Sequence, residues 1–291
     1  MWMRNLLDLP IADSITYQVS DIEVADLLAG RRTATLEQRV HELATAHLDG
    51  EPGVFLLTSM ADLTVDEAGT VSLAVSQLLG RPLSQDGHGA LLRQVMDRGL
   101  RLGEGATGRY SDSRDGGNLH TDGPHYPSPV PDCFALFCLH QARTGGELRI
   151  VHAEVLLERL PVWVIEELRH EFHFDRRDAD ADPPTVARPI LSLAPLRICY
   201  LREYVEIGHR HPHVPALTPR QVAALDALDA LLDDPEVQSS IRLEPGQLIV
   251  INNRSLLHGR TAFVDAPDGG PRRLMLRTWI QRTERAGEAA M

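Results

Sequence analysis

The chain contains no lysine, since all 29 basic residues are arginine. This absence excludes Schiff-base chemistry, the phosphate-binding lysine of a P-loop and an anchor for pyridoxal phosphate. Cysteine is also scarce, because Cys133, Cys138 and Cys199 make an odd number without zinc-ligand spacing. We expect them to be reduced thiols in the core of a cytoplasmic protein, with Cys133 and Cys138 on opposite faces of one strand.

Long apolar runs and basic stripes are missing as well. No run approaches the ~20 residues of a membrane helix, and the start, "MWMRNLLDLPIADS", does not resemble a signal peptide. The net charge is −12, and acidic residues and arginines are interspersed along the chain, which argues against nucleic-acid binding. We therefore expect a soluble protein that acts on a small molecule. A homo-oligomer is compatible with the sequence, which leaves the oligomeric state open.

The periodicity of apolar residues predicts an N-terminal part that mixes helices and strands, followed by a strand-rich C-terminal part. Helices are predicted over 34–48 and 64–80, with a buried strand over 53–60. From residue 133 onward, short strand-like segments with glycine turns favour a sandwich or barrel; they are "CFALFCLHQA", "ELRIVHAEVLL", "LRICYLREYVEI", "QLIVIN", "LLHGRTAFV" and "RRLMLRTWIQ". One helix is predicted over 218–233, capped by Thr218. Residues 175–189 are predicted to form a loop, either a lid or plain surface.

Three H-x-D triplets occur, and one has the setting of a metal site. His120-Thr121-Asp122 lies between a glycine pair and a clear strand, so its two potential ligands project to one face of an extended segment. The triplet at 47–49 closes a helix, and the one at 173–175 opens the charged loop. Because such triplets arise by chance, position favours the pair His120 and Asp122.

Two other histidine groups compete with this pair. His152-Ala153-Glu154 has the same spacing, but the flanking valines favour a strand edge. The segment "HRHPH", with His209, His211 and His213, is typical of a solvated loop.

A second region supports a site near His258. The segment 243–281 is predicted to contain a turn, a buried strand and then a hairpin; if its turn centres on Asp268, His258 lies opposite residue 278 and beside Arg277. Arg273 and Arg277 share one strand face, and Leu274 and Leu276 share the other. If the arginine face is interior, an anionic ligand beside a metal would satisfy one guanidinium; the alternative is that this face meets solvent.

These pieces resemble a known family, the taurine dioxygenase and clavaminate synthase superfamily of Fe(II)/2-oxoglutarate-dependent oxygenases. The matching segments are "NLHTDGPHYPSPVPDCFALFCLHQARTGGEL" and "LEPGQLIVINNRSLLHGRTAF…RRLMLRTW", within residues 105–282. The resemblance implies an α+β, mainly β fold: a double-stranded β-helix (jelly roll, cupin-like) with flanking helices. It implies one domain over 1–291, in which a mixed part, 1–104, packs on a core, 105–282, with a helical insert near 218–233.

By position, the resemblance implies that His120, Asp122 and His258 bind Fe(II), leaving room for 2-oxoglutarate and O2. Arg277 matches the arginine that pairs with the distal carboxylate of 2-oxoglutarate, and Arg273 matches a supporting arginine. One departure concerns a threonine that binds this carboxylate in many relatives. Here the sequence reads Gly145-Gly146-Glu147-Leu148, so that contact is missing or supplied elsewhere.

The leading functional hypothesis is a dioxygenase that hydroxylates an unactivated carbon of a small polar metabolite, such as an amino acid or natural-product intermediate, releasing succinate and CO2. Asp122 favours hydroxylation over halogenation, whereas desaturation, cyclisation and further oxidation stay open. Candidate substrate residues are Asn118 and His125, which flank the metal pair, and Arg202, Tyr204 and Glu206, which would share one strand face. The alternatives are a zinc hydrolase with the same ligands, although no H-E-x-x-H element is present, and a non-catalytic metal-binding jelly roll.

Overall fold

The structure is a computed structural model that describes residues 12–100, 110–127, 129–178, 180–267 and 269–283. The first hundred residues alternate helices and strands: β1 (Thr16–Gln18), α1 (Asp21–Leu28), α2 (Ala34–Leu43), a π-helical turn (Ala44–Leu48), β2 (Val54–Thr58), α3 (Val65–Leu79), β3 (Gly80–Leu83) and β4 (Leu92–Val95). The predicted helices at 34–48 and 64–80 and the strand at 53–60 are confirmed.

The back half is richer in strands. Its strands are β5 (Cys133–His140), β6 (Thr144–Gly145), β7 (Leu148–His152), β8 (Glu171–Asp175), β9 (Thr185–Pro189), β10 (Leu191–Leu193), β11 (Leu196–Ile198), β12 (Ser239–Ile241), β13 (Leu248–Asn252), β14 (Leu256–Arg260), β15 (Phe263–Val264) and β16 (Leu274–Arg282). Its helices are α4 (Ala153–Arg159), α5 (Val162–Leu168), α6 (Arg202–Gly208) and α7 (Pro219–Leu232). A short 3-10 turn, Tyr110–Asp112, precedes them.

Two sheets face each other across one apolar core. The large sheet has the strand order β1-β2-β13-β5-β16-β3, with β4 also paired to β16, and the small sheet has the order β12-β7-β14. Alternate residues of β5, such as Phe134, Leu136 and Cys138, point toward Ile150 of β7 and Leu256 of β14 in this core. The metal candidates therefore lie where the small sheet approaches β5 and β16.

Helices cover the outer faces of both sheets. The other residues of β5, including Cys133 and Phe137, pack with α2 and α3 in a second cluster. Cys133 and Cys138 thus lie on opposite faces, as predicted, and both are free and buried. Burial raises the pKa of each thiol to about 12, so both stay protonated. A third cluster joins the outer face of the small sheet, through Val151 and Leu257, to α4, α5 and α7.

Helix α7 follows its sequence signals closely. The Thr218 Oγ1 accepts the backbone N–H of Gln221 at 3.1 Å, and the Gln221 side chain accepts the Thr218 N–H at 2.9 Å, which completes a capping box. Leu225, Leu228 and Leu232 are buried against the small sheet's outer layer. Local capping and the apolar stripe therefore explain where the helix begins and which face it buries.

The strand predicted across residues 196–207 is only partly right. Strand β11 ends at Ile198, and Arg202–Gly208 forms helix α6. An ion pair of 2.8 Å between Arg202 and Glu206, one helical turn apart, supports the helix, while Val205 is buried. Since residues two apart do not share a helix face, the predicted common face of Arg202, Tyr204 and Glu206 is wrong.

The hairpin predicted within residues 243–281 is also wrong. Strand β14 pairs with β7 in the small sheet, whereas β16 pairs with β5, β3 and β4 in the large sheet. His258 and residue 278 therefore belong to different sheets, and the chain crosses between them; Asp268 lies outside the described residues. The prediction that alternate side chains of β16 point to opposite faces is nonetheless confirmed. Met275 and Trp279 face the core between the sheets, whereas Leu276 faces the helices.

The charged loop predicted over 175–189 is shorter than expected. Strands β8 and β9 pair antiparallel from Glu171↔Pro189 to Asp175↔Thr185, so the loop spans 176–184, of which residue 179 is not described.

His152 ends β7 and caps α4 by accepting the Glu154 N–H at 3.2 Å, so the strand does not continue through 154.

The "HRHPH" segment is not simply solvated. His209 is buried, accepts the His173 N–H at 3.0 Å and donates from its other nitrogen to the Pro215 oxygen at 2.7 Å. His211 lies 2.6 Å from an Asp175 carboxylate oxygen. Through these contacts the two histidines connect the end of α6 to the β8–β9 hairpin.

Among the helices of the described ranges, none has the length and apolar character needed to cross a membrane.

Replacing the cap of α7 tests its contribution. In Thr218→Ala, the Gln221 N–H loses its side-chain acceptor, and we expect the free energy of unfolding to fall by about 1 kcal/mol in urea titration. Thr218→Ser keeps the oxygen and is expected to match the parent. Equal stability of the alanine variant and the parent would show that the cap contributes nothing.

Candidate active site

The site is organised by a backbone bridge between His120 and His258. The His120 N–H donates to the His258 oxygen at 2.9 Å, and the His258 N–H donates to the His120 oxygen at 2.8 Å. Gly259 allows the strands to meet this closely, because a Cβ there would lie 3.0 Å from the Gly117 oxygen. The two imidazole rings consequently stand 4.7 Å apart between centroids.

The ring orientation of His120 follows from its neighbour Asn118. The Nδ1 of His120 lies 2.8 Å from the Asn118 backbone oxygen, which can only accept a hydrogen bond. Nδ1 therefore carries the proton, and Nε2 keeps its lone pair available to a metal. Asn118, predicted as a substrate residue, contributes this backbone oxygen, and its side chain is exposed.

The Asp122 carboxylate is anchored at both oxygens. Arg277 donates to Oδ1 at 2.9 Å, and the Trp279 indole donates to Oδ2 at 2.8 Å. Burial by itself would raise the pKa of Asp122, but Arg277, His258 and His120 more than offset this and lower it. Asp122 is therefore a carboxylate, and both of its anchors come from one face of β16.

Asn253 holds the backbone of Asp122, and the sequence analysis missed it. Its Oδ1 accepts the Asp122 N–H at 2.7 Å, and its Nδ2 donates to the Asp122 and Pro131 oxygens, each at 2.9 Å. It is 1% exposed, so water does not compete for these bonds. The only local signal is a polar pair, Asn252-Asn253, directly after the apolar strand β13, and nothing in the spacing points to residue 122.

His258 is buried beside the Phe134 ring, at 4.4 Å between centroids, and its Nε2 lies 3.9 Å from Asp122 Oδ2. Burial first, and His120 second, lower the pKa of His258 to about 3, so its imidazole is neutral. Its Nδ1 is buried and has no hydrogen-bond partner among the described residues.

Donor atoms of His120, Asp122 and His258 all lie within 4.8 Å of one another. Two neutral imidazoles and one carboxylate on a common face are the donor set that suits non-haem Fe(II) with open positions. The three predicted ligands are thus brought together, and the residues present fit the metal.

A cleft between the two sheets is lined in part by His120 and His258. The described residues that line it are His120, His258, Arg273, Arg277, Arg260, Ser111, Val95, Gly117, Gly259, Phe134, Leu136 and Leu148. The arginine face of β16 is therefore interior, and the solvent-facing alternative is wrong.

Arg273 and Arg277 differ in what they bind. The Arg277 Nε donates to Gln85 Oε1 at 2.9 Å, while its Nη1 donates to Asp122. Arg273 is 3% exposed, and its Nε and Nη1 have no partner among the described residues. Burial, then the nearby Arg260, lowers the pKa of Arg273 to about 10, so it is still cationic at neutral pH. A buried, unmatched guanidinium is costly unless an anion binds it.

Gly146, the second residue of the glycine pair at 145–146, makes room for Arg273. Both residues have positive φ, and a Cβ on Gly146 would lie 3.0 Å from the Arg273 Nε. The guanidinium carbon also lies 5.1 Å from the Phe263 ring centroid. Leu148, which follows the pair, presents an apolar side chain to the cleft.

A series of aromatic rings begins at Trp279, whose indole anchors Asp122. The Tyr126 ring meets the Trp279 ring edge-on at 5.3 Å, and the His125 ring lies 4.6 Å from Tyr126 and 4.9 Å from Tyr204. Two of the predicted substrate residues, His125 and Tyr204, are therefore in mutual contact, and Tyr126 connects His125 to Trp279, which anchors Asp122.

The other two predicted substrate residues on α6 have different partners. Arg202 donates to Glu206 and to Asp226 and Asp229 of α7, at 2.8, 2.8 and 3.0 Å. Glu206 also lies 3.6 Å from Arg210. The contacts of Arg202 and Glu206 join helix α6 to α7 and do not include the residues around Asp122.

Comparison with known proteins agrees with this geometry. Residues 33–279 match the family described as taurine catabolism dioxygenase TauD, TfdA family. FR-33289 synthase of Streptomyces rubellomurinus is 29% identical over 269 residues, covering 87% of this chain and 73% of that protein. A uridine-5'-phosphate dioxygenase of an Amycolatopsis species is 41% identical over 63 residues, or 22% of each chain.

Solved structures show the same fold. Asparagine oxygenase, solved with Fe(II), 3-hydroxyasparagine and succinate, superposes with a TM-score of 0.70 at 20% identity, covering 91% of this chain and 93% of that chain. The non-haem iron oxygenase OrfP, solved with iron, superposes with a TM-score of 0.66 at 16% identity, covering 95% and 97%. A mixed helix-and-strand architecture around a sheet-rich core, as in these oxygenases, is confirmed.

Removing the Asn253 amide tests its control of Asp122. Asn253→Ala leaves the Asp122 N–H and two backbone oxygens without partners in a buried site, so we expect metal affinity to fall about 10- to 100-fold in Co(II) titrations. The free energy of unfolding should also fall, by about 2–3 kcal/mol.

Asn252→Ala is the matched control, because Asn252 also bonds backbone groups, those of Leu48, Arg254 and Ser255, but none of Asp122. We expect this variant to lose stability and keep its metal affinity. Equal affinities in both variants would rule out a specific role for Asn253.

Proposed function

The chain belongs to the TauD/TfdA family, so it is an Fe(II)- and 2-oxoglutarate-dependent oxygenase, and we propose that it hydroxylates an unactivated carbon of a small polar metabolite. In the balanced reaction, substrate, 2-oxoglutarate and O2 give the alcohol, succinate and CO2. The observation that carries the proposal is the cluster of His120, Asp122 and His258, whose donor atoms lie within 4.8 Å of one another beside an arginine-lined cleft.

His120, Asp122 and His258 would hold the iron. The iron, with 2-oxoglutarate and O2, supplies the oxidising power when bound. The protein's task is to present the three ligands in fixed orientations. The Asn118 oxygen orients His120, Arg277 and Trp279 hold the Asp122 carboxylate, and burial keeps His258 neutral. A retained carboxylate at 122 supports hydroxylation rather than halogenation.

We assign the distal carboxylate of 2-oxoglutarate to Arg273. Position in the family motif pointed first to Arg277, with Arg273 in support. However, Arg277 already donates to Asp122 and Gln85, whereas two nitrogens of the buried Arg273 have no partner among the described residues. A charged carboxylate is the partner that offsets this cost. Arg277 then acts by positioning Asp122.

The facing sheets support a double-stranded β-helix as the finer description of the core. Strands β5, β13 and β16 of the large sheet and β7, β12 and β14 of the small sheet enclose a single apolar cluster. Such an arrangement presents the ligands between the sheets.

The substrate is proposed to contact the aromatic wall formed by His125, Tyr126 and Tyr204. Because Tyr126 touches Trp279, which anchors Asp122, this wall adjoins the iron position. Among proteins of this fold, asparagine oxygenase was solved with a hydroxylated amino acid, and one relative in sequence is FR-33289 synthase. These relatives support an amino acid or a natural-product intermediate as the substrate class.

A zinc hydrolase with the same ligands is disfavoured by the cleft. Its mechanism needs a general base near the metal-bound water. The described residues lining the cleft include no Asp or Glu, and the arginines there favour an anionic co-substrate.

Anaerobic titration tests metal and co-substrate binding together. Fe(II) plus 2-oxoglutarate should produce the weak visible charge-transfer band of the chelate in the parent, and His258→Ala should abolish it because one ligand is lost. Under O2, the parent should convert 2-oxoglutarate to succinate and add one oxygen atom to a substrate in a mass-shift screen. Turnover with zinc in the absence of O2 would contradict the proposal.

Paired arginine variants test the division of roles. Arg273→Gln removes the charged partner of the distal carboxylate, and we expect the dissociation constant of 2-oxoglutarate to rise about 10- to 100-fold. Arg277→Gln should leave this constant nearer the parent value and weaken metal binding, because Asp122 loses an anchor. The reverse pattern would assign the carboxylate to Arg277. Titration of the chelate band measures the first constant, and Co(II) titration measures the second.

A further inference from the structure

One neutral contact to the co-substrate is unaccounted for in this chain. Where many family members have a threonine after the glycine pair, this chain has Leu148, whose apolar side chain lines the cleft. We propose that the Ser111 hydroxyl takes over this role and donates a hydrogen bond to the distal carboxylate of 2-oxoglutarate. This inference rests on the proposed function and identifies a binding residue outside both family motifs.

Ser111 is the one hydroxyl-bearing residue among the described residues that line the cleft. The nearest threonine in sequence to the metal ligand His258, Thr261, is already committed. Its Oγ1 accepts the N–H groups of Gly146 and Glu147 at 2.9 and 3.1 Å and donates to a Glu147 carboxylate oxygen at 2.5 Å. Thr261 therefore shapes the glycine turn and has no hydrogen left for a ligand.

The Ser111 hydroxyl is held with its hydrogen still available. Its oxygen accepts from the Arg93 Nε at 3.0 Å, and Arg93 in turn donates to Asp112 at 2.6 Å. Because an arginine can only donate, this contact uses a lone pair of the serine and not its hydrogen. No acceptor for that hydrogen occurs in the described part of the chain, which leaves the hydroxyl as a donor in the cleft.

The backbone around Ser111 is also anchored. The Met96 N–H donates to the Ser111 oxygen at 3.1 Å, and the Arg98 N–H donates to the Asp112 oxygen at 2.9 Å. Asp112 additionally pairs with the Arg98 guanidinium at 3.0 Å. The 110–112 turn is thereby fixed to the segment that follows β4, so the hydroxyl is positioned before a ligand arrives.

A neutral donor suits this end of the cleft better than another cation. Arg260 and Arg273 both line it, and burial, followed by repulsion from Arg260, lowers the pKa of Arg273. A carboxylate has more acceptor positions than the two free nitrogens of Arg273 can fill. A serine hydroxyl adds a donor without adding to the positive charge.

The test uses the full-length chain and anaerobic titration of the Fe(II)·2-oxoglutarate band. We expect Ser111→Ala to raise the dissociation constant of 2-oxoglutarate about tenfold or more, while Co(II) affinity stays at the parent value. The melting temperature should fall slightly, because the Arg93 Nε loses its acceptor. Ser111→Thr, which keeps the hydroxyl, should stay close to the parent. With 2-oxobutyrate, which has no distal carboxylate, Ser111→Ala and the parent should bind equally.

A compensating variant sharpens the result. Adding Leu148→Thr to Ser111→Ala places a hydroxyl at the position used by family members, and it should restore 2-oxoglutarate affinity. Unchanged affinity in Ser111→Ala, or an equal loss for 2-oxobutyrate, would overturn the assignment. Failure of the parent to form the chelate at all would instead refute the proposed function, so the two outcomes are distinguishable.

Discussion

Two backbone hydrogen bonds between His120 and His258 join segments that are far apart in sequence, and the remaining geometry of the site depends on them. They place the imidazoles side by side, and they bring the segment carrying Asp122 against the mouth of the core between the two sheets. Gly259 favours this approach because a Cβ there would lie only 3.0 Å from the Gly117 oxygen. A metal site made from two distant segments thus rests on a short piece of strand pairing.

Charge balance around the iron position explains why the site would bind a diacid. Asp122 supplies one negative charge and pairs with Arg277, which leaves the buried Arg273 without a counter-ion among the described residues. Desolvation makes that state costly, and a bound carboxylate relieves the cost. Because the chain contains no lysine, guanidinium groups provide all of this positive charge, and their planar donors suit a carboxylate well.

Elements with strong local signals were predicted correctly. Helix α7 begins at its capping box and buries its leucine stripe, and β5 alternates its side chains between two cores. The segment 202–208 was misread because its alternation of polar and apolar residues fits a strand over a short window. The hairpin prediction failed for a different reason. Strands β14 and β16 follow each other closely in sequence, but they belong to different sheets that enclose the core from opposite sides.

By itself, the sequence determined which three residues are the candidate metal ligands, through the H-x-D spacing and the family motif, as well as the helix caps and the alternation of β16. Such features depend on residues a few positions apart, whose relative placement the backbone geometry dictates. Only the tertiary structure decided that Asn253 holds Asp122, that Arg277 pairs with Asp122 while Arg273 does not, and that Ser111 reaches the cleft. Those contacts depend on which strands meet across the core, and no local periodicity encodes that.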